Sequence, residues 1–481
     1  MDNRKPALLV TTLGSFLIPF MGSSVNIALP SIGKEFAMDA VLLSWITTSY
    51  LMSAAIFLIP FGRIADIHGR KKTFLYGFLV YTGSSLFCAL ATSPLSLISF
   101  RVVNGIGASM TFSTGVAILT SIYPPGERGK VLGINVAAVY SGLSCGPFLG
   151  GFLTHTFGWR SIFLINIPLG LFIVLLTLWK LKGEWTEAKG EKFDVTGSIL
   201  FSVTLVMIMY GFPKLTSIEG ICFVLSGALG VFLFVKWEIR TASPILDIDL
   251  FRRNKVFAFS NLAALINYSA TFAVSFLMSL YLQMIKGLAP QEAGLILISQ
   301  PIMQAVFSPL AGRMSDRIEP RIVASIGMAL TALGLFLLTF LDQQTTVYFI
   351  IGALILLGLG FALFSSPNTN AVMSSVEKKS YGLASGTLGT MRATGMMFSM
   401  GMVMLIFTVY IGRTQMTASS YPFFMKSVKT AFMIFTALCL AGIFASLSRG
   451  RMRKEGQPQY CSAWLLLQAI MNIKKFIPYP K

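Results

Sequence analysis

Long runs of residues without a charged side chain fill most of this 481-residue chain. A helix needs about 20 apolar residues to cross a bilayer, because no water is present there to bond its backbone N–H and C=O groups. Thirteen runs contain no charged residue: they are residues 6–33, 40–62, 73–100, 102–126, 131–159, 161–179, 195–213, 220–235, 256–285, 293–312, 322–341, 343–376 and 430–448. A fourteenth run, residues 381–411, is interrupted only by Arg392. The pattern predicts fourteen membrane-spanning helices, with both chain ends on one side.

The composition excludes a soluble enzyme. Hydrophobic residues make up 54% of the chain and charged residues 12%, whereas a water-soluble chain carries about 25% charge. The formal net charge of +19 would indicate a nucleic-acid partner in a soluble protein, but here we interpret it as a topology signal. The chain is predicted to be an all-α polytopic membrane protein with lipid around it and no nucleic-acid partner.

The basic residues predict the orientation of the bundle. With the N-terminus inside, 29 of the 38 Lys and Arg residues fall on one side and 7 on the other, while Arg101 and Arg392 lie within spans. Short loops rich in Lys and Arg stay cytoplasmic. Both termini are therefore predicted to be cytoplasmic, in a cell (plasma) membrane. The start, MDNRKPALLV, has no small-residue cleavage site, so we expect a retained first helix.

The sequence offers little for metal, cofactor or enzyme chemistry. The five cysteines have no paired spacing, and His68 and His155 are the only histidines. No Walker-type glycine loop and no nucleophile–base–acid set is present. We expect no metal, no cofactor and no enzymatic activity.

The chain repeats itself. GRIAD at residues 62–66 recurs as GRMSD at residues 312–316, each at the end of the second helix of a six-helix set. Two six-helix halves related by an internal repeat are typical of transporters. The predicted units are an N-terminal half (1–182), a linker with two inserted helices (183–255), a C-terminal half (256–448) and a cytoplasmic tail with a candidate interfacial helix (449–481).

The segment GRIADIHGRKK resembles the loop between helices 2 and 3 of the major facilitator superfamily. The matching positions are Gly62, Asp66, Gly69, Arg70 and Lys71. The glycines permit a tight turn, and Asp66 suits a neighbouring helix N-terminus, whose dipole favours an anion. The resemblance implies that this loop holds a cytoplasmic gate closed, with Gly312, Arg313 and Asp316 acting more weakly. The alternative is that the charges serve topology alone.

The fifth predicted helix carries a glycine pattern that resembles antiporters of this superfamily. Its members are Gly133, Gly142, Gly146, Pro147, Gly150 and Gly151. Glycines on one face let another helix approach closely, and proline bends a helix; generic small-residue packing is the alternative. Residues 158–170 and 382–395 resemble the fourteen-helix drug:proton antiporter branch in particular. The resemblance implies export.

Two arginines lie inside predicted spans. Arg101 in SFRVVNGIGASM resembles a helix 4 motif tied to proton coupling, with Asn104 where glutamine is usual. A charge within a span is a functional candidate, with helix packing as the alternative. Met21 stands where the branch usually has an aspartate, and none of the 19 acidic residues lies in the middle of a span. Arg101 and Arg392 thus make the interior positive, which favours an anionic or neutral substrate over a cation.

Further polar and aromatic residues are expected near a central cavity. They are Asn26, Tyr50, Tyr140, Asn267, Tyr268 and Gln300. The resemblance predicts a monomeric secondary active exporter of small amphipathic or drug-like compounds that works by alternating access, with protons as the expected coupling ion. Two alternatives stay open: an organic-anion or metabolite exporter without a membrane-embedded proton-carrying acid, and a non-transporting membrane receptor, which would require an output domain.

Overall fold

All regular secondary structure in the described part of the chain is helical. The computed structural model describes residues 4–38, 40–215, 217–241, 244–246, 248–288, 290–410 and 421–450. Its α-helices are α1 Arg4–Glu35, α2 Ala40–His68, α3 Arg70–Ala89, α4 Pro94–Ile122, α5 Pro125–Phe157, α6 Arg160–Lys180, α7 Val195–Gly211, α8 Ile218–Glu238, α9 Ile248–Arg253, α10 Lys255–Thr271, α11 Val274–Leu280, α12 Pro290–Leu297, α13 Ser299–Arg317, α14 Pro320–Leu338, α15 Val347–Ser374, α16 Tyr381–Tyr410 and α17 Tyr421–Ser448.

Twelve helical stretches of the described ranges are long and apolar enough to cross a membrane. They are built on α1, α2, α4, α5, α6, α8, α10 with α11, α12 with α13, α14, α15, α16 and α17. Two of the fourteen predicted spans fall outside this set: α3, which begins with three basic residues, and α7, which has 17 residues. A multi-span all-α protein is therefore confirmed, whereas membrane crossing by α3 and α7 stays a prediction.

The fourth predicted helix begins before the charge-free run that marks it. That run starts after Arg101, but the chain leaves α3 after Ala89 and starts α4 at Pro94. Ser93 and Ser96 form a capping box at this start, with proline in the first turn. A charge-free run records where charges are missing, and helix ends are set by caps; Arg101 therefore lies inside α4.

The motif segment is more helical than predicted. Asp66 and Asp316, expected in loops, lie in the last turns of α2 and α13. Gly62 is helical too, so only Gly69 makes the turn. Its φ of 122° suits glycine, and a Cβ there would collide with the side chain of Glu184.

Two helical halves contain separate apolar cores. Helices α1–α6 surround one core and α10–α17 a second. The halves meet where α5 packs on α13 and α2 packs on α16. The inserted helices α7 and α8 pack on each other and lie beside α2 and α16. The predicted division into domains stays a prediction.

Arg449 holds the end of α17 in place. It is the first residue of the predicted tail and is fully buried just after that helix. Its guanidinium donates to Ser260 Oγ (3.2 Å) and Asn368 Oδ1 (3.0 Å), which ties the end of α17 to α10 and α15. Residues 451–481, including the candidate interfacial helix, lie outside the described residues.

Candidate functional site

The carboxylate of Asp66, a residue of α2, lies against the N-terminus of α16, which belongs to the opposite half. We call the end of the bundle formed by residues 62–72, 121–130, 312–316 and 377–383 the motif end. The Asp66 carboxylate accepts the N–H groups of Gly382 (2.8 Å) and Leu383 (2.9 Å) and the Arg70 Nε–H (2.9 Å). Asp66 and Arg70 are both fully buried. The helix dipole and the guanidinium together stabilise this carboxylate away from water.

Tyr381 lies between two arginines of the N-terminal half. The guanidinium carbons of Arg70 and Arg128 are each 5.3 Å from its ring centroid, and Arg128 Nη2 donates to its hydroxyl (2.8 Å). Arg70 also donates to Ser121 Oγ (2.7 Å) and to the Lys378 carbonyl. The sequence did not single out Tyr381. It did not single out Arg128 either, because the topology rule already accounts for a basic residue in a short loop.

The internal repeat places Asp316 in a similar position. Its carboxylate accepts the N–H groups of Gly129 (2.8 Å) and Lys130 (2.9 Å) near the start of α5. Pro320 stands 250 residues after Arg70, so the repeat does not extend to that arginine. Arg313, predicted with this motif, is exposed. Each half therefore places one carboxylate near the start of a helix of the other half.

The linker after α6 is attached to the motif end, a contact that the sequence did not reveal. Glu184 accepts the N–H groups of Lys71 (2.8 Å) and Lys72 (3.2 Å) and so caps the start of α3. The Arg70 N–H donates to the Trp185 carbonyl (3.1 Å).

Three further contacts hold the same linker. Lys71 Nζ donates to a carbonyl at the end of α6, the Ala188 N–H donates to the Asp66 carbonyl (3.1 Å), and Arg63 forms an ion pair with Glu191. Residues 181–191 thus follow the surface of the motif end.

The glycine pattern of α5 divides between two neighbours. Gly142, Gly146 and Gly150 face α1, where a Cβ on any of them would collide with α1 atoms. Gly133 instead faces α13 of the other half. The remaining two fit more loosely: Pro147 is exposed, and a Cβ at Gly151 would make only an ordinary contact with Ile27 of α1.

Arg101 is surrounded by neutral groups of its own half. Its Nε donates to the Ile46 carbonyl (3.1 Å) and its Nη1 to Asn104 Oδ1 (2.9 Å), and its guanidinium carbon lies 4.3 Å from the Tyr50 ring centroid. Its exposure is 1%. Carbonyl, amide and ring contacts on three sides indicate that Arg101 holds α2 against α4.

Met21 belongs to the same cluster. The Tyr81 hydroxyl lies 2.9 Å from Met21 Sδ, and Ser85 Oγ lies 3.8 Å from it. Asn104 Nδ2, in turn, donates to Ser85 Oγ (3.2 Å). Met21 stands where the resemblance implies an aspartate. The structure therefore has a buried thioether at this position, and it is linked to Arg101 through Ser85 and Asn104.

Arg392 has fewer contacts than Arg101. Its Nη2 donates to Thr369 Oγ1 (2.5 Å), and its guanidinium carbon lies 5.6 Å from the Tyr268 ring centroid. Its Nε is buried without a hydrogen-bond partner. Phe361 packs edge-on against both Tyr268 and Tyr140, at 5.1 and 5.6 Å between centroids.

The remaining predicted cavity residues are dispersed. Asn26 is exposed and accepts from Thr47 Oγ1 (3.0 Å). Asn267 is fully buried with both amide atoms unpaired, and Gln300 is buried beside Gly358. The structure thus brings Tyr140, Tyr268 and Arg392 together, whereas Tyr50 joins Arg101.

A second charged contact lies at the other end of the N-terminal half. Glu35 accepts the indole N–H of Trp159 (2.6 Å) and a guanidinium N–H of Arg160 (2.9 Å). The indole hydrogen bond, followed by the Arg160 charge, holds the pKa of the Glu35 carboxyl below its ordinary value. This contact fastens α1 to α6.

Comparisons with known proteins agree with this architecture. A solved structure of the human organic anion transporter MFSD10 (TETRAN) has a similar fold, with a TM-score of 0.68 at 14% identity over 92% of this chain and 99% of that one. Riboflavin transporter RibZ of Clostridioides difficile (strain 630) is 27% identical over 93% of this chain and 98% of its own. Multidrug resistance protein Stp of Mycobacterium tuberculosis (strain CDC 1551 / Oshkosh) is 32% identical over 81% of this chain and 73% of its own. The sequence profile of the Major Facilitator Superfamily matches residues 11–289 and 260–470, so the chain belongs to this superfamily of membrane transporters.

Proposed function

We propose that this protein is a secondary active exporter of small amphipathic compounds that works by alternating access in the plasma membrane. The observation that carries the proposal is the pair of contacts at the motif end, Asp66 on α16 and Asp316 on α5. The Lys and Arg distribution predicts that this end is cytoplasmic. The described conformation is then closed toward the cytoplasm, and transport requires both contacts to open.

Fourteen spans, with both termini cytoplasmic, are part of the proposal. Packing supports this count, because α3 lies against α4 and α6, and α7 pairs with α8. If α3 did not cross, the chain would reverse its direction for every later span.

Export is supported by the glycine face of α5, which lies against α1 and resembles the antiporter pattern. The relationship to a multidrug resistance protein points the same way. The relationship to a riboflavin transporter is compatible with a planar aromatic substrate.

The proposed energy source is a proton gradient that is used by antiport, on the basis of the same resemblance to antiporters. No described span carries an acid in its middle. In antiport the proton is then carried by groups at the ends of the bundle, because a proton carried on the substrate would move in the substrate's own direction. The incompletely bonded Arg392 favours the organic-anion alternative.

Reconstituted liposomes with an imposed pH gradient test the proposal. Ethidium, riboflavin and 2-naphthoate are offered as probes, and entrapped pyranine reports proton movement. We expect uphill movement of at least one probe with consumption of the gradient, its loss in Asp66→Asn, and its retention in Glu187→Gln, whose side chain is exposed. Probe movement that leaves the pH gradient intact would contradict antiport, and inactivity toward all three probes would contradict a broad amphipathic exporter.

A further inference from the structure

We propose that Arg392, and not Arg101, recognises the anionic group of the substrate, and that the substrate is a flat aromatic monoanion held between the two halves. This inference rests on the proposed transport function and names its substrate class. The two arginines looked alike in sequence, since each lies inside an apolar span. Their surroundings in the structure separate them.

The guanidinium of Arg392 has hydrogen-bonding capacity left over. Arginine has five N–H donors and no acceptor. The hydrogen bond of Arg392 to Thr369 uses one of them, and the buried Nε–H is unpaired. Among the described residues, no recorded ion pair includes Arg392. A charged group at this depth, about 16 Å along α16 from Tyr381, requires water or an anion beside it.

Arg101 offers no comparable opening. It is 1% exposed, and its guanidinium is already bonded to Ile46 and Asn104 and covered by the Tyr50 ring. An anion could reach Arg101 only by displacing these contacts. Arg392 is half-buried, so a ligand can approach its guanidinium directly.

The walls beside Arg392 are aromatic. Tyr268 lies under the guanidinium, and Phe361 connects the ring of Tyr268 to the ring of Tyr140. Aromatic rings pack edge-on or offset against other flat rings, and the planar fork of a guanidinium matches a carboxylate in a bidentate manner. A flat ring with a carboxylate at its edge satisfies both features at once.

The site draws on both halves of the transporter. Tyr140 belongs to α5 of the N-terminal half, whereas Tyr268, Phe361 and Arg392 belong to α10, α15 and α16. A ligand lying between Tyr140 and Arg392 contacts both halves, so its affinity depends on their relative position. Binding of this kind biases the equilibrium between the two facing conformations.

A matched set of naphthalene ligands tests the proposal. Purified protein in nanodiscs is titrated with radiolabelled 2-naphthoate, with 2-naphthamide and 2-naphthylmethylammonium as competitors. We expect 2-naphthoate to bind at least tenfold more tightly than the amide. Arg392→Gln should abolish this preference while amide affinity stays within about twofold, and Arg392→Lys should retain part of it.

Two further variants keep the test decisive. Tyr268→Leu should weaken the acid and the amide equally, because it removes the ring contact and keeps the charge. Arg101→Gln should leave the ratio of acid to amide affinity unchanged. A wild type that prefers the amide or the amine, or an Arg392→Gln variant that keeps the wild-type ratio, overturns the proposal. If Arg392→Gln does not fold, an Arg392→Lys variant that keeps the full wild-type ratio overturns the proposal that the Arg392 guanidinium recognises the carboxylate.

Failure of the site and failure of the transport function give different results. If Arg392→Gln loses the preference for the acid over the amide, but the wild type shows no 2-naphthoate counterflow in liposomes, the site is retained and the exporter is rejected. Counterflow of ethidium or riboflavin by a protein that does not bind 2-naphthoate would retain the exporter and reject the site.

Discussion

Gly62 and Gly382 face each other across the two halves so closely that a Cβ on either would collide with the carbonyl oxygen of the other. The repeat reproduces this relationship with Gly312 and Gly129. In both cases a carboxylate one helical turn after the first glycine binds backbone N–H groups of the opposing helix. Close approach of the backbones is what allows the carboxylate to reach them.

Gly62→Ala and Gly382→Ala should therefore favour opening of the motif end. Overpacking of a tight contact costs about 1–3 kcal/mol, and here the cost falls only on the closed conformation. A cysteine at Thr390, whose hydroxyl donates to the Ala55 carbonyl across the interface, should react faster with a membrane-impermeant maleimide from the cytoplasmic side. The five native cysteines are replaced by alanine for this measurement.

Gly83→Ala provides the matched control, because a Cβ at this helical position meets no atom within 4 Å. It should leave the labelling rate unchanged. Equal rates in Gly62→Ala and Gly83→Ala would show that the glycine contact does not limit opening.

Asp66→Asn should destabilise the protein more than Asp316→Asn. Removing one partner of a buried ion pair costs about 3–5 kcal/mol, because the other charge stays buried, and Arg70 is fully buried beside Asp66. Asp316 is only half-buried, so its loss should cost about 1–3 kcal/mol. Thermal unfolding in lipid–detergent micelles measures both variants.

Replacing Arg70 as well separates the charge effect from loss of the helix contact. Asp66→Asn with Arg70→Met should be more stable than Asp66→Asn alone, since no unpaired charge remains. A double variant that is less stable by the sum of the two single effects would argue against the buried-charge explanation.

Glu184→Gln should loosen the linker from the motif end. A charged acceptor at a helix start contributes about 0.5–2 kcal/mol, and Glu184 accepts two N–H groups at the start of α3. Hydrogen–deuterium exchange in peptides covering residues 181–192 should become faster. Glu187→Gln, three residues away with an exposed side chain, should not change the exchange; similar acceleration in both variants would refute the capping role.

The sequence predicted the helical bundle well, because bilayer thickness imposes a length on every apolar run. It predicted the Asp66 contact only through a resemblance, since Gly382 lies more than 300 residues away in the chain. A count of charges does not give the start of α4, because this start depends on capping by Ser93.

The partners of the motif end could not be predicted at all. Glu184 and Tyr381 are ordinary linker and helix residues until folding brings them to Lys71 and Arg70. The difference between Arg101 and Arg392 likewise depends on tertiary hydrogen bonds, such as that from Arg101 to the Ile46 carbonyl.

Met21→Asp should give the N-terminal half the titratable group that it lacks. A carboxylate in this position replaces the sulfur as acceptor for the Tyr81 hydroxyl and lies near Ser85. Ser85 is connected to Arg101 by two hydrogen bonds through Asn104. Intramembrane acids are costly but functional when such partners are present. Ethidium transport should increase relative to 2-naphthoate transport, and the ratio should change between pH 6 and 8, whereas the wild-type ratio should not.

Met21→Asn and Met21→Leu are the controls for this substitution. Asparagine supplies an acceptor of similar size without a titratable charge, and leucine keeps the apolar volume. Only the aspartate variant should show the pH-dependent ratio, because only its charge changes with proton binding. If Met21→Asn reproduces the shift toward ethidium at every pH, polarity and not charge at this position selects the substrate, and the argument that a missing acid favours anions would have to be abandoned.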